Sequence, residues 1–168
     1  MGVLISIIVI VIIAAVLMSI FSLLVKKEMK KLKAPLFCKK QFLTPNEKEF
    51  FRRLQKAIEG TEFVIYPQVA MGALIDSALK KGSREYFNAR FSFQSKICDF
   101  VICSKITFDP VAIVELDDVT HDVKKDVKRD NMTIQAGIPT IRFWSRNKPE
   151  PNRIREILDL EVFSKLKA

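Results

Sequence analysis

Apolar residues dominate positions 3–25 near the amino terminus, where three serines interrupt them and no side chain is charged. An α-helix needs ~20 predominantly apolar residues to cross a hydrocarbon core, and this run is long enough. A cleaved signal peptide is the alternative interpretation. The sequence lacks both the basic segment that precedes such a peptide and the small-residue cleavage pattern that follows it. The pattern therefore predicts a single transmembrane helix over 3–25.

A basic segment at 26–42 follows the apolar run. Between Lys26 and Lys40, seven lysines and one glutamate supply +6 of the formal net charge of +9. Lysines beside a spanning helix stay on the cytoplasmic side and are attracted to anionic lipid headgroups, so the high charge is explained without nucleic acid. We expect a single-pass protein of the inner (cytoplasmic) membrane, with its amino terminus outside and a domain at 43–168 in the cytoplasm.

The spacing of apolar residues at the start of this domain predicts a helix. Thr44 and Glu47 have the spacing of a capping box, and apolar residues then recur on one helical face over 51–58. Glu47 lies on the same face, so its carboxylate has two interpretations, a helix cap or a member of a site. A strand-like run follows at 62–66, and Pro67 is expected to end it.

Basic and aromatic residues are interspersed between positions 76 and 96. This composition suits a loop and strand edge that contact a phosphate backbone, with aromatic rings available for stacking on bases. An exposed, solvated hairpin is the alternative, and Phe91 and Phe93 then alternate as core residues of a strand over 91–103. The nucleic-acid contacts predicted here and further along the chain are Lys80, Lys81, Arg84, Arg90 and Arg142.

Acidic residues interrupt two apolar strands, the one over 91–103 and the next over 111–117. If these strands pair as a hairpin, Asp99 on the first shares a face with Glu115 and Asp117 on the second. One or two carboxylates, completed by water and substrate phosphate, are the ligands that Mg²⁺ usually takes. Asp99 and Glu115 are therefore the candidate ligands of Mg²⁺ or Mn²⁺.

His121 is the only histidine and lies four residues after Asp117. An imidazole at this place is suited to protonate a leaving oxygen or to orient a nucleophile. The alternative interpretation of the acidic residues is structural, with Glu115 and Asp117 in ion pairs to Arg129, Arg142 or Lys96.

The remaining elements alternate between helix and strand. A helix capped by Thr120 or Asp122, a strand over 139–144 and a last helix with Asn152 as its N-cap complete the domain. The order αβββαβα is typical of an α/β layer fold with a mixed sheet. The residues predicted to be buried on these two helices are Val123, Val127, Ile134, Ile154, Ile157, Leu158 and Phe163.

Three cysteines, Cys38, Cys98 and Cys103, have no metal-ligand spacing such as C-x-x-C. An odd number of cysteines facing a reducing compartment argues against a disulfide framework, so free thiols are expected.

Several short motifs in order carry a family resemblance: LTPNEKEFFRRL, then ICDFVIC, then AIVELDDVTHD, then AGIPTIRFW. They resemble the bacterial domain of unknown function 2726. That family is similar to the very-short-patch-repair endonucleases of the PD-(D/E)XK, or restriction-endonuclease-like, superfamily. The resemblance covers about residues 35–146 and implies a restriction-endonuclease-like core.

The resemblance also implies roles for individual residues. Asp99 matches the first metal-binding aspartate of the superfamily, Glu115 the acidic residue of its E-x-K element, and Glu47 the acidic residue of the first helix. Asp117 occupies the place of the lysine, as in the ExD...H variant, in which His121 also finds its match. The implied activity is metal-dependent nucleic-acid hydrolysis. The alternative is a catalytically inactive nucleic-acid-binding or membrane-associated interaction module of the same fold.

Overall fold

The computed structural model describes residues 2–32, 35–118 and 123–166. It divides into two compact units, Met1–Lys40 and Gln41–Ala168. The first unit contains helix α1, Gly2–Leu32. Within α1, the stretch Ile5–Lys30 is long and apolar enough to cross a membrane. The predicted apolar helix is therefore present, and it continues into the basic segment.

The second unit is built from four helices and four strands among its described residues. The strands form a single sheet in the order β1-β2-β3-β4, in which β1 and β2 are antiparallel, β2 and β3 are antiparallel, and β3 and β4 are parallel. In chain order the elements are α2 (Pro45–Ala57), β1 (Phe63–Ala70), α3 (Arg84–Phe93), β2 (Ile97–Ser104), β3 (Pro110–Asp117), α4 (Val123–Gln135), β4 (Thr140–Trp144) and α5 (Pro151–Leu158).

Each face of the sheet has its own hydrophobic core. On one face, α2 and α5 pack against residues such as Phe100 and Val114. On the other face, Phe93 of α3 and Met132 of α4 pack with Val101 and Ile113. The alternation of side chains along each strand explains this division, because neighbouring residues point to opposite faces. The mixed α/β class is confirmed.

Strand β1 is longer than predicted. It continues through Pro67, which pairs with Phe100 of β2, and ends at Ala70. Because β1 is an edge strand, the missing N–H of a proline breaks no essential ladder bond. The expectation that Pro67 ends the strand is wrong.

Helix α3 replaces the first part of the strand predicted over 91–103. The hydroxyl of Ser83 accepts a hydrogen bond from the N–H of Tyr86 and caps the helix. Phe93 is buried, whereas Phe91 is 66% exposed, so the two rings are not the alternating core residues that a strand requires. The basic and aromatic residues of this region therefore lie partly on a helix.

The buried stripe predicted for α4 is also wrong where the structure describes it. Val127 and Ile134 are more than half exposed, and Thr133 is the buried residue instead. The side chain of Val123 lies outside the described residues, as do both proposed caps, Thr120 and Asp122.

The last helix begins at Pro151, with Glu150 and not Asn152 at the N-cap position. A proline fits the first helical position because its missing N–H would be unpaired there in any case. The predicted burial of Ile154, Leu158 and Phe163 is confirmed.

The capping box of α2 is present as predicted. The hydroxyl of Thr44 accepts a hydrogen bond from the N–H of Glu47 at 3.2 Å, and Oε2 of Glu47 accepts one from the N–H of Thr44 at 2.6 Å. The Thr44→Ala variant should unfold with a free energy lower by about 1 kcal/mol, measured by urea denaturation. Thr44→Ser keeps the hydroxyl and is the control. Equal stability of the alanine variant and the wild type would contradict this role.

Candidate functional site

A row of polar residues crosses the four strands of the sheet. Glu115 on β3 pairs in register with Arg142 on β4. Phe100 pairs with Val114, so the β2–β3 register continued by one residue brings Asp99 opposite Glu115. Gln68 lies between Pro67 and Val69, whose partners on β2 are Phe100 and Cys98, the two neighbours of Asp99. Acidic and amide side chains inside otherwise apolar strands are unfavourable unless they are paired or bind a ligand.

Glu115 lies at the centre of this row and is only 3% exposed. Its Oε2 lies 3.1 Å from Nη2 of Arg129 on α4. Its Oε1 is buried without a hydrogen-bond partner among the residues that the structure describes. Burial, and next the charge of Asp99, raise the pKa of Glu115 to about 8. The ionised carboxylate is therefore poorly compensated in its present surroundings.

Asp99 is held by the neighbouring strand. Its Oδ2 accepts a hydrogen bond from the backbone N–H of Leu116 at 2.9 Å, which fixes the carboxylate beside β3. Burial raises the pKa of Asp99, and the bond from Leu116 opposes this shift only in part. Two like charges that share a low-dielectric site disfavour each other's ionisation. Asp99 and Glu115 therefore form an electrostatically coupled pair, as the strand alternation predicted.

Arg142 joins β3, β4 and α4. Its Nη1 donates to Asp117 at 2.8 Å, and its Nε and Nη2 donate to the two carboxylate oxygens of Asp130 at 3.0 and 2.9 Å. Burial acts to lower the pKa of Arg142, but the hydrogen bonds to Asp130 and Asp117 outweigh it and raise the pKa. The ion pairs weighed as an alternative for Glu115 and Asp117 are thus both present, with Arg129 and Arg142 as partners.

Glu47 connects the start of α2 to the row. Its Oε2 serves the capping box, and its Oε1 accepts a hydrogen bond from Nε2 of Gln68 at 3.0 Å. The charge of Glu47 also contributes to the raised pKa of Asp99. Gln68 did not emerge from the sequence as a site residue. A single amide side chain in an apolar strand could have indicated Gln68 as a site residue. The sequence does not predict the left-handed backbone conformation of Gln68 (φ 56°).

The family model described as protein of unknown function DUF2726 matches residues 39–162. The chain belongs to the DUF2726 family. The matched region includes every helix and strand of the second unit and the whole polar row. Comparisons with curated proteins and with solved structures give no match.

The basic residues predicted to contact nucleic acid are dispersed in the DUF2726 domain. Lys80, Lys81 and Arg84 are exposed before and at the start of α3. Nη1 of Arg90 donates to Oδ1 of Asp76 at 2.8 Å and stabilises the same region. As described above, Arg142 lies in the polar row. The contacts of these exposed residues with nucleic acid stay a prediction, and His121 lies outside the described residues.

Two of the three cysteines, Cys98 and Cys103, lie in the DUF2726 domain, and Cys38 precedes it. All three cysteines are free, as predicted, with Cys38 exposed and Cys98 and Cys103 buried. Burial, and next the charge of Glu115, raise the pKa of Cys98 to about 12, so this thiol stays protonated and unreactive at neutral pH.

The side chains of the polar row that could bind a metal ion are carboxylates. Within residues 2–32, 35–118 and 123–166, no group of three or more His, Cys, Asp or Glu side chains is placed to hold a metal ion. Magnesium needs fewer, because it usually binds one or two carboxylates and keeps several waters. Asp99 and Glu115 match this donor set, and Oε1 of Glu115, which has no hydrogen-bond partner within the described part of the chain, is an oxygen available to a cation.

Proposed function

We propose that this DUF2726 protein is a membrane-anchored, metal-dependent nuclease that hydrolyses phosphodiester bonds of DNA or RNA at the cytoplasmic face. One observation carries the proposal. Asp99 and Glu115 lie opposite each other on neighbouring strands, and a buried oxygen of Glu115 has no hydrogen-bond partner among the described residues. The four ordered motifs resemble DUF2726, and the similarity of that family to the very-short-patch-repair endonucleases supports the same activity.

The physical argument concerns charge. Two carboxylates in a desolvated site carry an electrostatic cost that a proton or a cation must offset. This cost raises the pKa of Glu115 to about 8, mainly through burial and next through the charge of Asp99. A divalent cation offsets the same cost with two charges and keeps both carboxylates ionised. Asp99 and Glu115 would hold Mg²⁺ or Mn²⁺, which when bound polarises a phosphoryl oxygen and lowers the pKa of its bound water.

The surrounding residues of the chain orient these two carboxylates. The N–H of Leu116 fixes Asp99, and Arg129 fixes one oxygen of Glu115. Partners of this kind around metal-binding side chains hold them in position and tune their affinity for the metal. Arg142 holds Asp117 at the end of β3, beside the same site.

Three further residues enter the proposal through the family resemblance. Asp117 takes the place of the usual lysine, and Glu47 that of the acidic residue on the first helix. His121 is proposed to protonate the leaving oxygen or to orient the attacking water, a role that suits an imidazole near neutral pH.

The membrane topology is also part of the proposal. Helix α1 contains an apolar stretch sufficient to cross a bilayer, and lysines follow it. We place the amino terminus outside and the DUF2726 domain on the cytoplasmic side of the inner membrane, with the basic segment against anionic lipid headgroups. This arrangement confines the nuclease to substrates that reach the membrane surface.

The test uses the full chain in detergent with DNA and RNA substrates, both single-stranded and double-stranded. Cleavage should appear with Mg²⁺ or Mn²⁺ and disappear with a chelator. The Asp99→Asn variant, purified in the same way, controls for contaminating nuclease. Cleavage that persists in that variant, or no cleavage of any substrate with either metal, would refute the proposed function.

A second candidate function is supported by the ion pairs. Arg129 pairs with Glu115 and Arg142 pairs with Asp117, and both contacts occupy carboxylates that a catalytic site would use. This pairing favours a catalytically inactive module of the same fold, which is either a membrane-associated interaction module or a nucleic-acid-binding module. The nucleic-acid-binding module has a direct test. It predicts binding that weakens with salt, is unaffected by divalent metal, and leads to no cleavage.

A further inference from the structure

A small basic pocket lies beside the carboxylate pair. It has a volume of about 190 Å³ and is lined by Ser92, Lys96, Lys128, Arg129 and Met132. These residues come from the end of α3, the segment before β2, and the middle of α4. Three of the five lining side chains are cations, and none of the five is acidic. About six waters occupy such a volume in the liquid, so it has room for a phosphate group.

The three cationic side chains of the pocket differ in how deeply they are buried. The side chain of Lys128 is exposed, Lys96 is half-buried, and the side chain of Arg129 is 17% exposed. Cations that converge in a partly desolvated pocket repel one another. Arg129 already contacts the carboxylate of Glu115, so an anion in the pocket would mainly offset the charges of Lys96 and Lys128. Arginine and lysine are also the side chains that proteins use most for phosphate, through charge-assisted hydrogen bonds.

The pocket shares a residue with the proposed catalytic site. Nη2 of Arg129 lies 3.1 Å from Oε2 of Glu115, and Arg129 also lines the pocket. Lys96 precedes Asp99 by three residues on the way into β2. An anion bound between these cations therefore lies next to the carboxylate pair.

We propose that Lys96, Lys128 and Arg129 form a phosphate-binding site that receives a phosphate group of a nucleic acid next to the carboxylate pair. The phosphate is a diester within the strand or a terminal monoester, which present the same anionic oxygens to the pocket. This inference rests on the proposed function for the identity of the ligand. It adds Lys96 and Lys128, which the family resemblance does not identify, to Arg129, which the resemblance places among the recurrent positions around the site.

The experiment measures the binding of a fluorescent single-stranded oligonucleotide to the full chain. The protein is held in nanodiscs of zwitterionic lipid with a chelator present, so that neither anionic lipid nor metal takes part, and anisotropy is recorded across a salt series. The test variant is Lys96→Gln/Lys128→Gln. The matched control is Lys56→Gln/Lys165→Gln, which removes the same charge from residues outside the pocket.

The test variant should bind about tenfold more weakly than wild type, and its dependence of log K on log[salt] should be shallower by about 1.4. The control should stay within about twofold of wild type. Equal binding by the test variant and wild type, or equal losses in both double variants, would overturn the proposal.

An oligonucleotide with a 5′-phosphate identifies the phosphate type. Tighter binding than its 5′-hydroxyl counterpart supports a terminal monoester, and equal binding supports a diester.

The outcome is separable from that of the proposed function. If no substrate is cleaved with any metal but the lysine variant still loses binding, the phosphate site holds and the nuclease proposal fails. If cleavage depends on Asp99 but the lysine variant binds as wild type, the nuclease holds and the phosphate site fails. Thermal unfolding should give a cooperative transition for both double variants and so show that each is folded, because the substituted lysines are not buried.

Discussion

The Asp99→Asn variant is expected to lose metal-dependent cleavage by at least about 100-fold while the protein remains folded. Mutation of residues that hydrogen-bond to metal ligands typically lowers metal affinity or activity by about 10- to 100-fold. Removing the charge of a ligand itself should have a larger effect. Asparagine has nearly the same shape as aspartate. Its side-chain oxygen can still accept the hydrogen bond from the N–H of Leu116.

Initial cleavage rates at several Mn²⁺ concentrations measure this effect. The matched control is Glu156→Gln, which removes one negative charge from an exposed ion pair on α5. Its rate should equal that of the wild type, because exposed pairs contribute little. An Asp99→Asn variant that cleaves at the wild-type rate would show that the carboxylate pair is not the active site.

The Glu115→Gln variant is expected to be more stable than the wild type at mildly alkaline pH when metal is absent. The pKa of Glu115 is raised from the ordinary value of 4.5 to about 8 in the folded protein, chiefly by burial. A carboxyl group with a raised pKa contributes its full stability below pH 4.5, where it is protonated in both states. That contribution is lost as the pH rises through the folded-state value. Glutamine has no proton to lose and keeps its contribution.

The expected result is a difference in unfolding free energy that grows with pH. It should increase by up to about 1.4 kcal/mol per pH unit and reach on the order of 3 kcal/mol near pH 8. Below about pH 4.5 Glu115 is protonated in both the folded and the unfolded state, so the two proteins should differ little. The measurement is urea denaturation with a chelator, followed by the fluorescence of Trp144, the one tryptophan of the chain.

The control for this series is Glu161→Gln, because Glu161 is exposed and forms a surface pair with Lys165. Its difference from wild type should not change with pH over the same range. If Glu115→Gln is less stable than wild type at every pH, the ion pair with Arg129 is a net stabilising contact. That result would favour the non-catalytic module.

The two results together distinguish a site from a scaffold. If the carboxylate of Glu115 serves to bind a metal, it destabilises the folded protein while no metal is bound. The neutral glutamine variant should then be inactive and more stable than the wild type. A carboxylate kept for structure gives the opposite result, because its loss leaves the buried charge of Arg129 without its Glu115 partner.

Local signals in the sequence were sufficient for several elements. The capping box from Thr44 to Glu47 depends on residues three apart, and the structure contains it. The alternation that puts Asp99 and Glu115 on one face depends only on the two-residue period of a strand and on a hairpin, and the ladder confirms it.

Other features depend on contacts that no local pattern carries. Phe91 and Phe93 are two residues apart, as on a strand, but Ser83 caps a helix that contains both. Gln68 joins the polar row through a left-handed backbone and a hydrogen bond to Glu47, which lies 21 positions away. Side-chain chemistry allowed several partners for each acidic residue, and only the packing of α4 against the sheet selects Arg129 for Glu115.

The equilibrium binding of Mn²⁺ to the full chain in detergent tests the central claim most directly, since electron paramagnetic resonance detects free Mn²⁺ without any substrate. If Asp99 and Glu115 hold a divalent cation, the wild type and Glu156→Gln bind Mn²⁺ saturably, and Asp99→Asn and Glu115→Gln lose that binding. Binding that is unchanged in both of these variants, or no saturable binding by the wild type, would contradict the metal site.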